Sequence, residues 1–337
     1  MVGPDFKVNI GKDELGKDVI IDVSKLSNLY TAGNVGTGKT NLLHKIITTI
    51  STNVPADYLK FILVDPKKVN FGIYNYMPHL LTKVISDSKK TCLSLRWLAK
   101  EVNRRLDTFH SKGVRDIDAY YQKFILNKKS DESVPYIFMI MDDFSNIINE
   151  YPKEIGEAVI KVIENAHITG ITIIFSSSQV INKNITKILK TGNVRSQVVF
   201  KVNNSSESRV ILNTNGAERL DPQGEILFQS KSMKFPICIK LSQIQEKEIE
   251  KSVKAIRTRN SDKDYWFVED AVEEEDELYE EAKRITIESG KASTSYIQRK
   301  LGTGYSRAAT LIDMLEARGV IGPENGSKPR RVIGKTE

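Results

Sequence analysis

The 337-residue sequence contains two cysteines, Cys92 and Cys238, and four histidines. The cysteines lie within apolar patterns and lack CxxC or Cys/His spacing, which argues against a disulfide framework, a zinc site and a redox motif. We therefore predict buried thiols in a reducing compartment, and the cytoplasm is the expected location. The histidines have no carboxylate or cysteine partner at ligand spacing, so histidine chemistry is not indicated.

Long hydrophobic runs are also missing. No apolar run reaches the roughly 18 residues that a membrane-spanning helix needs, and no apolar signal segment follows a basic N-terminus. The sequence thus predicts a soluble chain without a membrane segment. Its net charge of +7 and pI of 9.1 suit a polyanionic partner, although abundant lysine produces the same balance in proteins without such a partner.

The order of the apolar segments predicts an α/β fold. Between Asp18 and about Arg257, short continuous apolar runs alternate with longer segments of helical period. Strands that are buried on both faces have continuous apolar runs, so this alternation is typical of a mostly parallel sheet covered by helices on both sides. The clearest runs are Tyr58–Val64, Tyr136–Met141, Ile171–Phe175 and Val198–Val202.

A change of composition near residue 261 divides the chain. We predict an ATPase domain over residues 1–260 and an acidic, extended linker over residues 261–277. Residues 278–337 are then expected to form a small winged-helix domain with three helices and a hairpin. The predicted helices are Leu278–Glu288, Ser293–Leu301 and Ser306–Arg318, and Ser293 is the expected N-cap of the second.

The phosphate-binding pattern G-x-x-x-x-G-K-[ST] is matched by Gly33-Asn34-Val35-Gly36-Thr37-Gly38-Lys39-Thr40. The segment follows a strand-like run, Leu29–Ala32, and opens an amphipathic helix. Glycines allow backbone N–H groups and the helix N-terminus to face phosphates. We therefore assign residues from Gly33 to Asn41 to ATP binding, with Lys39 on the phosphates and the Thr40 hydroxyl on Mg²⁺. The alternative is a chance glycine-rich turn.

An acidic pair, Asp142-Asp143, ends the apolar run Tyr136–Met141. A parallel strand delivers its C-terminal end to the ligand crevice, so the pair matches a Walker B pattern. We predict that Asp142 binds Mg²⁺ together with Thr40, and that Asp143 orients or deprotonates the attacking water. A solvated turn is the alternative. Most such ATPases have glutamate at the second position, so the shorter Asp143 raises the hypothesis of slow hydrolysis.

The last predicted helix has a core face and a polar N-terminus. Ala308, Leu311, Ile312 and Leu315 recur at i, i+3, i+4 and i+7 and are expected to face the domain core. The helix N-terminus and the basic hairpin are then expected to face DNA bases and phosphates. The predicted contacts are Tyr305, Ser306, Arg307, Lys328, Arg330 and Arg331, and Arg307 suits bidentate contact with guanine. A winged helix that binds protein is the alternative.

Several motifs, in order along the chain, resemble the FtsK/SpoIIIE family. They include Ala32–Thr40, Val64-Asp65-Pro66-Lys67, Pro135–Phe144, Gly170–Gln179, Ser208-Arg209 and Gly224–Phe228, while Gly304–Ala309 and Gly326–Arg330 resemble the family's γ-domain. The resemblance implies a RecA-like motor domain and a homo-hexameric ring around double-stranded DNA. It also implies translocation driven by ATP hydrolysis, with a winged helix that reads short sequences setting its direction.

The resemblance assigns further roles and also shows departures. Gln179 is expected to sense the γ-phosphate, although the family's Thr-Gln is Ser178-Gln179 here. The family has an arginine where this chain has Gln197, so Arg195 and Arg209 are both candidates for the arginine that acts on a neighbouring subunit's ATP. In the winged helix Ser306 replaces a usual asparagine, so the preferred DNA sequence is expected to differ.

Septal members of the family carry an N-terminal membrane domain that this sequence lacks. We therefore expect a relative from a phage, plasmid or integrative element, or a chain that works with a membrane-anchoring or recombinase partner. Two rival functions stay open: a conjugative DNA-transfer pump, and a weakly hydrolysing tether to DNA that ATP switches. Four other basic residues are candidates to face DNA or a neighbouring subunit, with solvated charge as the alternative: Lys67, Arg104, Arg105 and Arg115.

Overall fold

The structure is a computed structural model of the chain, which describes residues 4–125, 134–179, 181–259, 278–317, 320–322 and 330–332. The chain divides into two compact units, Met1–Val272 and Glu273–Glu337. The predicted linker, residues 261–277, lies outside the described residues. The three-part division of the chain with those boundaries therefore stays a prediction.

Within the described residues of the first unit, nine strands form one sheet. They are β1 Lys7–Asp13, β2 Asp18–Asp22, β3 Leu29–Ala32, β4 Leu59–Val64, β5 Tyr136–Met141, β6 Ile171–Ser177, β7 Ser196–Val199, β8 Glu225–Ser230 and β9 Ile237–Leu241. Their order across the sheet is β2-β1-β9-β8-β7-β3-β6-β5-β4. Neighbours from β7 to β4 run parallel, so the P-loop strand β3 and the strand β5 are separated by β6 alone.

The other side of the sheet is antiparallel, which the apolar runs do not predict. Strands β7 to β8, β8 to β9, β9 to β1 and β1 to β2 all pair in this way. The run expected at Val198–Val202 begins and ends earlier, at Ser196 and Val199. Beyond Val199 the segment stays hydrogen-bonded to the end of β3 and the P-loop, since the Phe200 N–H donates to the Ala32 carbonyl and the Lys201 carbonyl accepts the Asn34 N–H, both at 2.8 Å.

Helices cover both faces of the sheet, as the alternation of apolar runs and helical segments predicts. They are α1 Lys39–Asn53, α2 Ser88–Ser111, α3 Ile117–Tyr120, α4 Phe144–Glu150, α5 Pro152–Thr169, α6 Lys183–Leu189, α7 Ser205–Leu212 and α8 Glu246–Arg259. One apolar cluster joins α1 and α8 to the sheet, and a second joins α2, α4, α5 and α6 to the opposite face. The face of α1 that contacts the sheet is fully buried: Leu42, Leu43, Ile46, Ile47 and Ile50. None of the helices in the described ranges has both the length and the apolar character that crossing a bilayer requires.

Arg105 on α2 does not face DNA or a neighbouring subunit, which corrects the expectation from the sequence. Its side chain is only 1% exposed, so it faces neither DNA nor solvent. The guanidinium donates to a Glu101 carboxylate oxygen at 2.7 Å and to the Thr169 carbonyl at 2.8 Å. Arg104 donates to the same carboxylate from the surface, at 2.7 Å and 2.8 Å. Arg105 follows Glu101 by four residues, so the two side chains lie on the same side of α2. The buried guanidinium keeps its charge because the Glu101 carboxylate pairs with it.

Among its described residues, the second unit has three helices, α9 Tyr279–Ser289, α10 Thr294–Leu301 and α11 Tyr305–Ala317. The Ser293 side chain accepts the Tyr296 N–H, which confirms the predicted N-cap. The four predicted core residues of α11 are buried, which confirms that face: Ala308, Leu311, Ile312 and Leu315. Ile321 pairs antiparallel with Val332, as expected for the base of the predicted hairpin, and residues 323–329 between them lie outside the described residues.

Candidate nucleotide site and DNA interface

The P-loop connects β3 to α1 in a conformation that requires glycine. Gly33 has a φ of 147°, and a Cβ there would lie 2.6 Å from the Cβ of Phe200. Gly38 has a φ of 108°, which is also unfavourable for residues with side chains. The chain can therefore curl from the sheet into the first turn of α1, where unpaired backbone N–H groups are available to an anion.

Lys39 folds back into this loop. Its ammonium donates to the carbonyls of Gly33 and Asn34, at 2.7 Å and 2.6 Å. Burial lowers the pKa of Lys39 to about 8, although the carboxylates of Asp142 and Asp143 act to raise it. Phosphate oxygens form stronger, charge-assisted hydrogen bonds than neutral carbonyls, so the ammonium is placed to exchange these partners for a bound phosphate.

Asp142 links the P-loop to the end of β5. Its Oδ2 accepts the Thr40 hydroxyl at 3.0 Å and the Asn70 amide at 2.9 Å. Its Oδ1 accepts the hydroxyl of Ser176, the second-last residue of the neighbouring strand β6. The P-loop and the aspartate pair therefore share one crevice at the carboxyl edge of the parallel strands.

The same contacts test whether a magnesium ion suits this crevice. Mg²⁺ prefers hard oxygen ligands and is commonly held by one or two protein groups together with phosphate oxygens. The Thr40 hydroxyl and the Asp142 carboxylate are such ligands, and they lie within 3.0 Å of each other. No cluster of three or more His, Cys, Asp or Glu side chains suited to a metal occurs in the described part of the chain. The residues present therefore fit an ion that is shared with a bound triphosphate.

Asp143 is held by several partners. It has a φ of 50°, and its side chain is 9% exposed. Its Oδ1 accepts the hydroxyls of Ser145 at 3.1 Å and Ser178 at 3.2 Å. Its Oδ2 accepts the Asn146 amide at 2.8 Å and pairs with the Lys67 ammonium at 2.8 Å. The second aspartate is thus fixed beside Asp142 by both hydrogen bonds and charge.

Sequence reasoning missed the part that the loop after β4 plays in this crevice. The loop residues Asp65–Phe71 hold Lys67 against Asp143 and Asn70 against Asp142. Asp65 is buried and organises the loop by accepting the N–H groups of Lys67, Asn70 and Phe71 at 3.2, 2.7 and 3.0 Å. The available signal was position, because the loop follows the C-terminal end of a parallel strand, as the P-loop does.

The remaining predicted nucleotide residues lie around the crevice. Gln179 is exposed just after β6, and its side-chain oxygen accepts the Asn149 amide at 3.4 Å. The Asn41 side chain makes two bonds with the backbone of Ile244, at 2.8 Å and 3.1 Å, so this amide anchors α1 to the segment before α8. The roles of Gln179 and of Asn41 in nucleotide binding stay predictions.

The two candidate trans-acting arginines lie at different edges of the sheet. Arg195 precedes β7, which runs parallel to β3, so it lies at the edge opposite the P-loop. Arg209 is exposed on α7, after the end of β7, and its guanidinium contacts Ser205 at 3.3 Å. An arginine that reaches another subunit has to be accessible, so exposure favours Arg209 over the half-buried Arg195.

In the second unit, the predicted DNA contacts differ in accessibility. Tyr305 is 63% exposed, and Arg307 and Arg331 are also exposed. Arg330 is only 15% exposed at its side chain and forms an ion pair with Glu316 at 3.1 Å. Lys328 and the Ser306 side chain lie outside what the structure describes. Contact of all these residues with DNA stays a prediction.

Comparison with known proteins identifies the family to which this chain belongs. The model of the FtsK/SpoIIIE family matches residues 3–209, and that of the Ftsk gamma domain matches residues 273–335. The chain belongs to the FtsK/SpoIIIE family. FtsK/SpoIIIE proteins are P-loop ATPases, which supports ATP as the nucleotide of this crevice.

The relatives named DNA translocase FtsK are longer than this chain. Those of Caldanaerobacter subterraneus subsp. tengcongensis and Treponema pallidum are 35% and 34% identical to it, over 98% and 97% of this chain. DNA translocase SftA of Bacillus subtilis is 33% identical over 96% of this chain. The chain spans 46%, 42% and 34% of these three proteins, respectively.

Solved structures share the fold of this chain over three quarters of its length. The pCW3 conjugation coupling protein TcpA, in its monomer form with ATPγS, superposes with a TM-score of 0.65 at 19% identity, over 75% of this chain and 71% of TcpA. The cytoplasmic domain of the type VII secretion ATPase EccC from Thermomonospora curvata gives a TM-score of 0.64 at 19% identity, over 75% of this chain and 31% of EccC. This likeness confirms the predicted α/β P-loop ATPase fold.

Proposed function

We propose that this chain is an ATP-driven motor for double-stranded DNA that works as a homo-hexameric ring. The proposal depends most on the hydrogen bond between Thr40 and Asp142, 3.0 Å long, which brings a P-loop and an acidic pair together in a member of the FtsK/SpoIIIE family. The names of the relatives, DNA translocase FtsK and SftA, support DNA as the substrate.

In the proposed reaction, ATP binds with its phosphates against the N-terminus of α1. Lys39 leaves the loop carbonyls and neutralises phosphate charge, while Thr40 and Asp142 hold Mg²⁺. When bound, the metal ion would neutralise the charge that develops on the phosphate oxygens as ADP leaves. Asp143 orients or deprotonates the attacking water, and Gln179 senses the γ-phosphate. Arg209 is the better candidate to complete the site of a neighbouring subunit.

A triplex-displacement assay tests translocation. We expect the purified chain to displace a third strand from duplex DNA when ATP and Mg²⁺ are present, because a moving ring strips bound strands. The Lys39→Ala variant should lose displacement and reduce ATP hydrolysis by at least about 100-fold, because the ammonium that stabilises the phosphates is gone. Displacement by Lys39→Ala, or failure of the unsubstituted hexamer to displace, would contradict the proposal.

Arg307 is the residue that we expect to read DNA sequence. A bidentate contact with guanine discriminates by about 1–3 kcal/mol, so Arg307→Ala should weaken binding to the preferred duplex about 5- to 150-fold. Binding to random duplex should change little. Fluorescence anisotropy at fixed salt, on a duplex selected with the unsubstituted chain, measures both affinities.

The matched control for this variant is Arg284→Ala, which removes an exposed arginine of α9 that pairs with Glu281 and Glu288. It should leave both affinities within about twofold. Equal weakening on selected and random duplexes would identify Arg307 as a phosphate contact. Unchanged affinities would favour a winged helix that binds protein.

An ATP-switched tether is the second candidate function. It is favoured by one observation: four protein groups already contact the Asp143 carboxylate, which leaves it poorly placed to act on water. A tether would bind DNA in an ATP-dependent way but would neither hydrolyse ATP at a useful rate nor displace the third strand. The likeness to a conjugation coupling protein concerns the fold alone and does not favour a conjugative pump.

A further inference from the structure

The carboxylate of Asp143 has its acceptor positions filled. An ionised carboxylate offers about four lone-pair positions, two on each oxygen. Oδ1 accepts from Ser145 and Ser178, at 3.1 Å and 3.2 Å. Oδ2 accepts from Asn146 and Lys67, both at 2.8 Å. A water molecule that is to be oriented or deprotonated by this group needs one of these positions, so one partner has to leave.

Lys67 differs from the other three partners. Ser145 and Asn146 belong to the same turn as Asp143, and Ser178 follows the adjacent strand β6. Lys67 comes from the separate loop Asp65–Phe71, carries the positive charge in this set, and has a side chain that is 53% exposed. Its hydrogen bond to Asp143 raises the pKa of Lys67, so the ammonium stays charged. A partly exposed ion pair of this kind can open without disturbing the core.

The loop Asp65–Phe71 also contacts Asp142, the neighbour of Asp143. Asn70 donates to Asp142, the proposed magnesium ligand, at 2.9 Å. The buried Asp65 carboxylate ties the backbone of Lys67 and of Asn70 to one anchor. A change in the partners of Asp142 can therefore be transmitted to Lys67 through Asn70 and Asp65.

We propose that Lys67 is a positioning residue that holds Asp143 in an inactive, saturated state and so limits the rate of ATP hydrolysis. The inference rests on the proposed function, in which Asp143 acts on water. In that step the water oxygen bonds to the γ-phosphorus, the bond from phosphorus to the bridging oxygen of ADP breaks, and a water proton moves toward Asp143. Departure of Lys67 frees the acceptor position that this proton needs.

Substitution of Lys67 by methionine tests the inference, because methionine keeps an unbranched side chain and removes the charge. At saturating ATP we expect the DNA-free kcat of Lys67→Met to rise about two- to fivefold. Loss of a partly exposed ion pair raises the population of Asp143 with a free acceptor position by about this factor. Steady-state ATP hydrolysis without DNA measures this value for the two chains.

Two matched variants accompany this test. Lys68→Met removes the exposed neighbouring lysine of the same loop and should leave the DNA-free kcat unchanged. Lys67→Arg keeps the charge and should also keep the DNA-free kcat of the unsubstituted chain. Salt screens exposed pairs, so raising the ionic strength should bring the DNA-free kcat of the unsubstituted chain toward that of Lys67→Met.

The outcomes separate this inference from the proposed function. A DNA-free kcat of Lys67→Met equal to or below that of the unsubstituted chain overturns the inference, and a raised KM for ATP together with a lowered kcat would identify Lys67 as a phosphate contact instead. If Lys39→Ala hydrolysed ATP as fast as the unsubstituted chain, the proposed function itself would be overturned.

Discussion

Replacement of Asp143 by asparagine should lower the kcat for ATP hydrolysis by about 100- to 10 000-fold, with the affinity for ATP nearly unchanged. Asparagine has the shape of aspartate and can keep bonds to Ser145 and Ser178, but it cannot accept a proton from water. General-base catalysis commonly contributes an acceleration of this size. Steady-state hydrolysis gives kcat, and binding of a fluorescent ATP analogue gives the affinity.

The control for this prediction is Asp107→Asn, which changes an exposed aspartate of α2 in the same chemical way and should leave kcat unaltered. Asp143→Glu should preserve or raise the rate, since the added methylene extends the carboxylate toward the nucleotide by about 1.5 Å. If Asp143→Asn kept more than about a tenth of the rate, another group would have to activate the water.

Replacement of Arg105 by alanine should destabilise the chain by about 3–5 kcal/mol. The substitution removes a fully buried side chain, breaks its ion pair with Glu101 and leaves the buried Thr169 carbonyl without its donor. Arg104→Ala is the matched control, because Arg104 pairs with the same carboxylate from the surface. That exposed pair should contribute at most about 1 kcal/mol. Urea unfolding of the full chain, followed by circular dichroism, compares the two.

This ion pair also predicts a dependence on pH. Burial works to raise the pKa of Glu101, but hydrogen bonds and charge from Arg104 and Arg105 hold it below the ordinary value of 4.5. A carboxylate whose pKa is depressed by folding stabilises the folded state above that ordinary value, and the contribution is lost as the pH falls through the lower, folded value. The stability difference between the unsubstituted chain and Arg105→Ala should therefore shrink below pH 4.5. A difference that stayed constant down to acid unfolding would contradict this account.

The central elements of the fold were predictable because their residues follow simple periods. The run Tyr136–Met141 matches β5 at both ends, and the apolar face of α1 is buried as its spacing predicts. Strands buried on both sides and amphipathic helices leave clear signals in the order of side chains. The antiparallel side of the sheet left no such signal, since β1, β2 and β8 have partly exposed residues that interrupt the apolar pattern.

The candidate site was predictable where one short segment supplies the chemistry. The P-loop and the pair Asp142-Asp143 are each contiguous, and each follows a strand that could be recognised. Lys67 and Asn70 were not identified as parts of the crevice, because their contacts with the two aspartates span 76 and 72 positions in the chain. The position of Arg105 was also mistaken, since its charge suggested the surface whereas its partner Glu101 permits burial.

Residue order by itself determined the α/β class, the P-loop, the acidic pair and the core face of α11, because each depends on neighbours within a turn, a strand or a short loop. Folding in three dimensions decided which polar groups meet: Thr40 with Asp142, Lys67 with Asp143, and Arg105 with Thr169. The physical reason is that hydrogen bonds and ion pairs act over a few ångströms, and only the packing of distant segments brings their partners within that range.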